Sequence, residues 1–422
     1  MYKEIKLPEN VCRIIDILNK AGFEAYAVGG CVRDTLLGVV PLDWDITTSA
    51  KPEQVKSLFR RTIDTGIQHG TVTVMFGKEG YEVTTYRIDG EYEDGRHPKE
   101  VTFTNNLVED LKRRDFTINA MAYDGTEIVD EFDGLKDLEN GIIRAVGNAE
   151  ERFTEDALRI LRALRFAAKL NYEIEESTIK AIIKLRENLR QISAERIRVE
   201  LTKLLMSDHP EKLEDVYKYG VTAIVLPQFD AYSEEERLDV IESLKKAVST
   251  ETGIQDNKSE EYLRFAILLK SAGAENARKV LRDLKFDNET VRCVATLVEN
   301  ADQMPELTDA DIRRSIVRVG TDLVPILIRL WQIMACGCRN NIEGGDVDKY
   351  EQLVTDILNR GDCISMKNLA VCGRDLIDEL KMKPGKELGE VLNVLFEKVL
   401  DEPKLNNREQ LLRIAAETTV DK

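Results

Sequence analysis

The stretch "YAVGGCVRDTLLGVVPLDWDITTSA", Tyr26 to Ala50, decides the architecture of the N-terminal part of this chain. "CVRDTLLG" is typical of a helix start, and "PLDWDITT" is typical of a short strand with "DITT" running through it. A double glycine stands directly before the helix, and two aspartates in the spacing Asp-x-Asp stand at the strand. This order predicts a small α/β head that brings glycines, an arginine and two carboxylates into one region.

The two aspartates, Asp43 and Asp45, are expected to point to the same side, because residues i and i+2 of a strand share a face. Neighbouring carboxylates repel each other, and a divalent cation with oxygen ligands offsets that repulsion directly. We therefore predict a metal site at Asp43 and Asp45, with a plain surface turn as the alternative.

The double glycine predicts a cradle for phosphate. Gly29 and Gly30 have no side chains, so backbone N–H groups at the helix start can approach an anion, and Arg33 adds a positive charge. A plain turn is the alternative. A phosphate cradle close in sequence to paired aspartates is typical of phosphoryl or nucleotidyl transfer assisted by two metal ions.

Length and composition describe a globular protein of several domains, with 422 residues, 43% hydrophobic and 32% charged. The seven cysteines contain no Cys-x-x-Cys pair, and the three histidines contain no His-Asp doublet. We therefore expect reduced thiols, a cytoplasmic location and a metal held by oxygen rather than by sulfur or nitrogen. The start of the chain lacks the apolar core of a signal peptide, and no stretch reaches the roughly 20 apolar residues that span a membrane.

Charge is distributed unevenly along the chain. The segment from Ala157 to Met206 carries eleven Lys and Arg against six Glu, although the whole chain has a net charge of −17. This basic segment predicts local binding of phosphates, and a solvated helix face is the alternative.

The pattern of elements changes along the chain. "TVTVMF" and "YEVTTYRI" alternate in polarity around the turn "GKEG", which predicts a β-hairpin. The polar segment Asp89 to Phe103 predicts a mobile loop, with a plain surface insertion as the alternative. From Thr154 onward the periodicity is helical, and for Tyr232 to Met304 it indicates helices and nothing more.

A second group of charged residues occurs in "EDALRILRALRF", where Asp156, Arg159, Arg162 and Arg165 follow at steps of three. On a helix adjacent members of such a set are neighbours. Asp156 can accept and Arg159 can donate a hydrogen bond, which matches the amino group and unprotonated ring nitrogen of cytosine and adenine. The pair could thus select C and A without a nucleic-acid template, and an ordinary i,i+3 ion pair is the alternative.

Several motifs together resemble one enzyme family. "GGCVRDTLLG" with "LDWDITTSA" is similar to its first motif, and the further motifs are "LKRRDFTINAMAYD", "DGLKDLENGIIRAVG", "EDALRILRALRF" and "SAERIRVELTKLL". The resemblance is to the class II tRNA nucleotidyltransferases (CCA-adding enzymes) and their bacterial poly(A) polymerase relatives, within the polymerase-β-type nucleotidyltransferase superfamily. It implies an α+β protein with a polymerase-β-like head, a small mixed sheet with helices, at 1–146, followed by an all-α neck at 147–206, body at 207–330 and tail at 331–422.

The resemblance also implies roles for the residues of the basic segment. Asp156 and Arg159 would act as an amino-acid template for the incoming base, with Glu155 as a supporting residue. Arg162 and Arg165 would contact the triphosphate.

In the head, the resemblance implies that Arg114 contacts the nucleotide and Asp115 the ribose. Glu82 in the hairpin is a candidate third carboxylate of the metal site. Mg²⁺ would be held by Asp43 and Asp45.

The implied activity is the addition of C, C and A to the 3′ end of tRNA from CTP and ATP, with release of pyrophosphate. An enzyme that adds only A stays open as an alternative. CC-adding enzymes have a shortened loop at the position where this chain retains Asp89 to Phe103. Poly(A) polymerases carry an Arg-rich signature where this chain has "DTGIQHGTVTV". The alternative from a different functional class is an RNA-binding protein without catalytic activity.

The C-terminal segment resembles the tail of the family. Gly385 to Gly389 is expected to open a helix that binds a backbone phosphate at the tRNA elbow, and a structural helix cap is the alternative. We expect no membrane partner, and the sequence leaves open whether the protein forms a homodimer.

Overall fold

The structure is a computed structural model that describes residues 5–90, 101–249, 256–335 and 342–420. The chain forms two compact units, Met1–Ala231 and Tyr232–Lys422. Within the described ranges no helix is long and apolar enough to cross a membrane. The predicted boundaries after residues 146, 206 and 330 remain predictions.

The first unit contains all the strands of the described chain. These are β1 Ala25–Val28, β2 Asp45–Thr48, β3 Thr62–Gly66, β4 Thr71–Phe76, β5 Glu79–Thr85, β6 Arg87–Asp89, β7 Val101–Phe103, β8 Ala122–Tyr123, β9 Ile128–Val129, β10 Ile142–Ile143 and β11 Glu173–Ile174. Its helices are α1 Glu9–Lys20, α2 Gly30–Leu36, α3 Pro52–Leu58, α4 Leu107–Lys112, α5 Gly134–Asn140, α6 Ala149–Glu155, α7 Leu158–Leu170, α8 Glu176–Leu185, α9 Ala194–Leu205, α10 Leu213–Lys218, α11 Thr222–Val225 and α12 Pro227–Asp230.

Seven strands form one mixed sheet in the order β3-β4-β5-β2-β1-β8-β9. The predicted hairpin is confirmed, since β4 and β5 pair antiparallel across a turn in which Gly77 has a φ of +63°. β2 pairs parallel with β5, and this register places Asp45 directly opposite Glu82. The sheet therefore brings together two carboxylates that are far apart in sequence.

The predicted loop Asp89 to Phe103 falls mostly on residues 91–100, which lie outside the described residues. Its two ends pair as β6 and β7, with Arg87 opposite Phe103. The prediction of a mobile loop is therefore not tested.

Gly29 and Gly38 fix the two ends of α2. Gly29 has a φ of +83°, and its N–H donates to the Met121 carbonyl at 3.1 Å. At the other end Gly38 (φ +78°) donates to Thr35 at 2.9 Å, and Val39 donates to Asp34 at 2.8 Å. These two bonds form a Schellman motif, which stops the helix and turns the chain away from it.

Helix α6 ends at Glu155 and α7 begins at Leu158, so the chain between them is not helical. Asp156 has an extended backbone (φ −142°, ψ 104°), and its side chain accepts from the Leu158 N–H at 3.0 Å. The prediction that Asp156 and Arg159 are neighbours on one helix is therefore wrong. A short acidic side chain in front of an apolar run favours a helix start at this position, because it satisfies a free N–H group.

The core of the head packs around Tyr86, whose side chain is fully buried with Leu111 and Ala120. Val28 from β1 and Val146 belong to the same cluster. Burial of each large apolar side chain contributes about 1.5–3 kcal/mol, which holds β1, α4 and the second motif against one another.

The second unit is helical throughout its described part, which confirms the prediction for Tyr232 to Met304. Its helices are α13 Glu234–Ser249, α14 Asn257–Leu269, α15 Ala274–Asp283, α16 Asn288–Glu299, α17 Asp309–Val319, α18 Val324–Ala335, α19 Gly344–Arg360, α20 Gly373–Leu380, α21 Lys386–Asp401 and α22 Arg408–Val420. As predicted, α21 opens directly after Gly385. Leu376, Leu395 and Leu411 join α20, α21 and α22 in one buried cluster.

Candidate active site

Four carboxylates line one cleft of about 660 Å³ in the head: the three singled out in the sequence, Asp43, Asp45 and Glu82, and also Glu79. Asp45 is the first residue of β2, Glu82 lies opposite it on β5, and Asp43 lies two residues before β2 begins. The prediction that one strand holds both aspartates is wrong, because pairing begins only at Asp45. Both aspartates nevertheless line the cleft together with Leu42 and Glu82.

Burial and neighbouring carboxylates raise the pKa of both Asp45 and Glu82 in this cleft. Burial raises the pKa of Asp45, Arg114 lowers it, and Asp43 raises it further. The pKa of Glu82 is also raised, first by burial and then by Asp45 and Asp43. A cation placed among these groups would favour their charged forms, so the donor set fits a hard divalent ion with oxygen ligands.

The geometry limits which groups can bind such an ion together. Within the described residues no three Asp, Glu, His or Cys side chains lie close enough to hold one ion. Two carboxylates, Asp43 and Asp45, remain the predicted ligands, and water or substrate oxygens are the ordinary further ligands of Mg²⁺.

The double glycine differs in part from the predicted phosphate cradle. Because the Gly29 N–H donates to Met121, that group is not available to a phosphate, whereas Gly30 begins α2. A Cβ at Gly29 would lie 2.9 Å from Nη1 of Arg114. Gly29 is therefore needed for its positive φ and for the close approach of Arg114.

Arg114 forms an ion pair with Asp110, a fully buried carboxylate on α4. Its Nη2 lies 3.6 Å from Oδ2 of Asp110, and Oδ2 also accepts from Thr47 on β2 at 3.1 Å. Burial alone would raise the pKa of Asp110, but Arg113 and Arg114 lower it below the usual range. Asp110 thus links the second motif to the strand that carries Asp45.

Arg33 is buried and bound by protein groups. Its Nη2 donates to Asp34 at 2.6 Å, and its Nη1 donates to the side-chain oxygen of Asn119. Its guanidinium carbon lies 4.9 Å from the centre of the Phe166 ring on α7. The prediction that Arg33 contacts triphosphate is not tested by these contacts, although they show that the side chain is already oriented.

Two further arginines surround the same ring of Phe166. The guanidinium carbons of Arg162 and Arg165 lie 5.5 and 4.0 Å from its centre. Nε of Arg165 lies 2.6 Å from Glu200 on α9, and burial lowers the pKa of Arg165 although Glu200 opposes this shift. Phe166 therefore lies at the centre of a cluster of three guanidinium groups, each of which is attracted to its π face.

Asp115 is saturated by protein donors. Its Oδ2 accepts from Nε and Nη2 of Arg162 at 2.8 and 2.5 Å, and its Oδ1 accepts from Phe116 N–H and Asn119 Nδ2. Burial alone would raise the pKa of Asp115, but Arg162 and Asn119 lower it far below the usual range. Both oxygens have protein partners in this structure, so contact with a ribose requires a shared or exchanged hydrogen bond.

The side chains of Asp156 and Arg159 have other partners, although the Arg159 N–H donates to the Asp156 carbonyl at 3.0 Å. Asp156 Oδ2 accepts from Nη2 of Arg196 on α9 at 2.7 Å. Arg159 donates through Nη1 to Glu155 at 2.6 Å, and through Nη2 to the Arg113 carbonyl at 2.9 Å. The expected role of Glu155 as a supporting group agrees with this contact, and its role in nucleotide binding stays a prediction.

Sequence reasoning missed five residues that complete this region. All of them lie in or beside the motifs that carry the resemblance, so the motifs were the available signal. They are Asp110, Asn119, Phe166, Arg196 and Glu200.

The mixed sheet with carboxylates on neighbouring strands, followed by a helix with a row of arginines, defines a nucleotidyltransferase of the polymerase type. Family models agree with this class: the "Poly A polymerase head domain" matches residues 25–144. The "Probable RNA and SrmB- binding site of polymerase A" matches residues 171–233, and "tRNA nucleotidyltransferase domain 2" matches residues 255–415.

Named relatives identify the family within this class of nucleotidyltransferases. The CCA-adding enzyme of Ligilactobacillus salivarius is 38% identical over 99% of this chain and 98% of its own length. That of Lactobacillus helveticus is 40% identical over 95% of each. The solved Bacillus stearothermophilus CCA-adding enzyme in complex with CTP superposes with a TM-score of 0.80 at 31% identity, covering 99% of both chains. The chain belongs to the family of CCA-adding enzymes, which confirms the predicted family, fold class and enzyme class.

Proposed function

We propose that this protein adds C, C and A in turn to the 3′ end of tRNA, using CTP and ATP and releasing pyrophosphate. The observation that carries this proposal is the cleft of Asp43, Asp45 and Glu82 in a chain that matches CCA-adding enzymes over nearly its whole length. A solved relative at 31% identity was obtained in complex with CTP, which supports the choice of nucleotide.

Asp43 and Asp45 hold Mg²⁺ in this proposal, and their mutual repulsion supports it because a cation would remove it. Bound there, Mg²⁺ would activate the 3′ hydroxyl of the RNA and stabilise the pyrophosphate leaving group. Glu82 contributes negative charge beside Asp45 on the neighbouring strand. Arg114 of the second motif, whose charge lowers the pKa of Asp45, contacts the nucleotide in this proposal.

Asp156 and Arg159 select the base in this proposal. Among the described residues Arg159 engages three of its N–H groups, with the Arg152 and Arg113 carbonyls and with Glu155. A guanidinium has five N–H groups, so about two remain for a ring nitrogen. Asp156 is held by Leu158 and Arg196 and keeps lone pairs for an amino group.

The cluster around Phe166 binds the triphosphate in this proposal. Arg162 and Arg165 supply positive charge there, and Arg33 adds a third guanidinium. Asp115 contacts the ribose once a nucleotide enters. The tRNA elbow at Gly385 to Gly389, the cytoplasmic location and the homodimer remain predictions.

The extension assay tests the activity. The protein is incubated with Mg²⁺ and tRNA lacking CCA, with CTP alone, with ATP alone, and with both. We expect two added nucleotides with CTP alone and three with both. Extension of a tRNA ending in CC by A alone, without any use of CTP, would show an A-adding enzyme instead.

Arg159→Met tests base selection, because methionine keeps an unbranched stem but cannot donate to a ring nitrogen. We expect the use of UTP or GTP, relative to CTP and ATP, to rise in this variant. The fold-change in this selectivity should exceed the fold-loss of affinity for the triphosphate. Arg190→Met is the control, since Arg190 is exposed and pairs only with Glu187 among the described residues. Unchanged selectivity in Arg159→Met would refute the base-reading role.

A further inference from the structure

The segment between α2 and β2 exposes four large apolar side chains, of which Leu37, at 38% exposed, is the least exposed. Val39, Val40 and Leu42 are 54%, 85% and 98% exposed, and we call these three residues the apolar lip. Other exposed apolar side chains in this unit, such as Ile63 and Ile183, occur singly. Isolated exposed apolar residues are ordinary, whereas a contiguous set marks a contact surface.

The exposure of the apolar lip follows from how α2 ends. In a Schellman motif the residue after the glycine usually packs on an apolar residue one turn back. Here those two positions are Val39 and Asp34, so Val39 has no apolar partner of that kind. Val40 precedes Pro41, which favours an extended backbone at Val40.

The apolar lip is continuous with the catalytic cleft. Leu42 lines that cleft together with Asp43, Asp45 and Glu82, and it immediately precedes the first aspartate. A substrate whose reacting oxygen binds at Asp43 and Asp45 would therefore lie close to Leu42. The lip itself carries no charge, so its chemistry fits the faces of nucleobases rather than phosphate.

We propose that the apolar lip packs against the 3′-terminal nucleosides of the RNA being extended. This inference rests on the proposed function, which requires the site to accept three different 3′ ends in turn: the unextended tRNA, then one ending in C, then one ending in CC. A contact that read hydrogen-bonding edges would favour one of these ends. Packing against base faces tolerates all of them, because every base has a π face.

The test uses the full chain with the double substitution Val40→Thr and Leu42→Asn, which keeps the side-chain sizes but makes them polar. Loss of this apolar contact should raise KM for tRNA lacking CCA by about tenfold. CTP binding measured without RNA should stay unchanged. Leu42→Met should keep KM near the wild-type value, and Ile63→Thr is the control at an exposed apolar residue elsewhere in the same unit.

The possible outcomes distinguish a failure of the proposal for the apolar lip from a failure of the proposed function. If the wild type extends tRNA but the double variant has an unchanged KM for it, the proposal for the lip is overturned while the activity stands. If the wild type extends no RNA at all, the proposed function itself fails. Light scattering completes the test: a wild-type dimer that becomes monomeric in the double variant, with KM for tRNA unchanged, would assign the lip to a second copy of the chain and overturn the proposal.

Discussion

A buried carboxylate such as Asp115 is stable only because specific donors surround it. Its two oxygens accept from Arg162, Asn119 and the Phe116 N–H, and these contacts outweigh the loss of hydration. Removing one partner of such a group leaves a buried charge without compensation, which is more costly than losing an ordinary surface pair. The arginine row of α7 thus stabilises the fold as well as carrying its proposed role in binding.

We expect Arg162→Met to lower the free energy of unfolding by about 2 kcal/mol at neutral pH. The lowered pKa of Asp115 stabilises the folded state above the unfolded pKa of about 4, and this stabilisation is lost as the pH falls toward the folded value. The difference between wild type and variant should therefore shrink below about pH 4. Urea unfolding measured from neutral to acidic pH checks this.

Arg190→Met serves as the control for this prediction. Both Arg190 and Glu187 are more than half exposed, so the change should stay within about 0.5 kcal/mol at every pH. A loss of stability that is independent of pH in Arg162→Met would contradict the assignment to Asp115.

Single substitutions also distinguish a carboxylate proposed to act in catalysis from another carboxylate of the same cleft. We expect Asp45→Asn to reduce tRNA extension by at least about 100-fold, because it removes negative charge proposed to hold the metal. Glu79→Gln is the matched control, since Glu79 lines the same cleft but accepts from Asn10 and Tyr81. It should stay within about threefold of the wild type, which lies within ordinary variation between variants. Equal losses in both variants would refute the assignment.

At the scale of elements, part of the head could be predicted from local sequence. The hairpin of β4 and β5, the strand β2 and the helix after Gly29 follow from alternation and turn residues, and all three were confirmed. The break at Asp156 was missed, because steps of three in "EDALRILRALRF" continue across it and hide the cap. The pairing of Asp156 with Arg196 joins residues 40 positions apart, so local periodicity contains no signal for it.

Gly29 allows a prediction about the turn before α2. We expect Gly29→Ala to raise KM for CTP, because the new Cβ would lie 2.9 Å from Nη1 of Arg114 and displace it. The backbone of Gly29, with φ +83° and ψ −131°, adds a cost of about 1–3 kcal/mol for a residue with a side chain. Nucleotide titration of the purified variant, with thermal unfolding in parallel, measures both effects.

Gly77→Ala isolates the backbone effect, since Gly77 also has a positive φ but nothing within 4 Å of an added Cβ. This control should lose stability and keep its KM for CTP. Equal changes in KM for CTP in the two variants would contradict the proposed displacement of Arg114 by a Cβ at position 29.

At the scale of the whole molecule, every predicted site residue of the head and basic segment lies in the first compact unit. That unit has its own buried core around Tyr86. The second unit has a separate core around Leu395, and the predicted tRNA contact at Gly385 to Gly389 belongs to it. Nucleotide binding and contact with the tRNA elbow are therefore expected to depend on different units.

A chain truncated after Ala231 tests this expectation. It should bind CTP with an affinity near that of the full chain, because all proposed nucleotide contacts are retained. Its affinity for tRNA should fall by at least about tenfold. Circular dichroism checks that the fragment is folded, and filter binding measures both ligands. Full tRNA affinity in a folded fragment would contradict the placement of the elbow contact in the tail.

The pairing of β2 with β5 sets the tolerance of this protein to insertions and deletions. Asp45 and Glu82 face each other because of strand register, while α3, β3 and β4 fill the sequence between them. Added residues in the turns of that intervening part leave the register intact. A single residue deleted inside β5 before Glu82 would turn this carboxylate to the opposite face of the sheet, because strand side chains alternate. The length of β5 is thus under stricter constraint than the length of chain that separates it from β2.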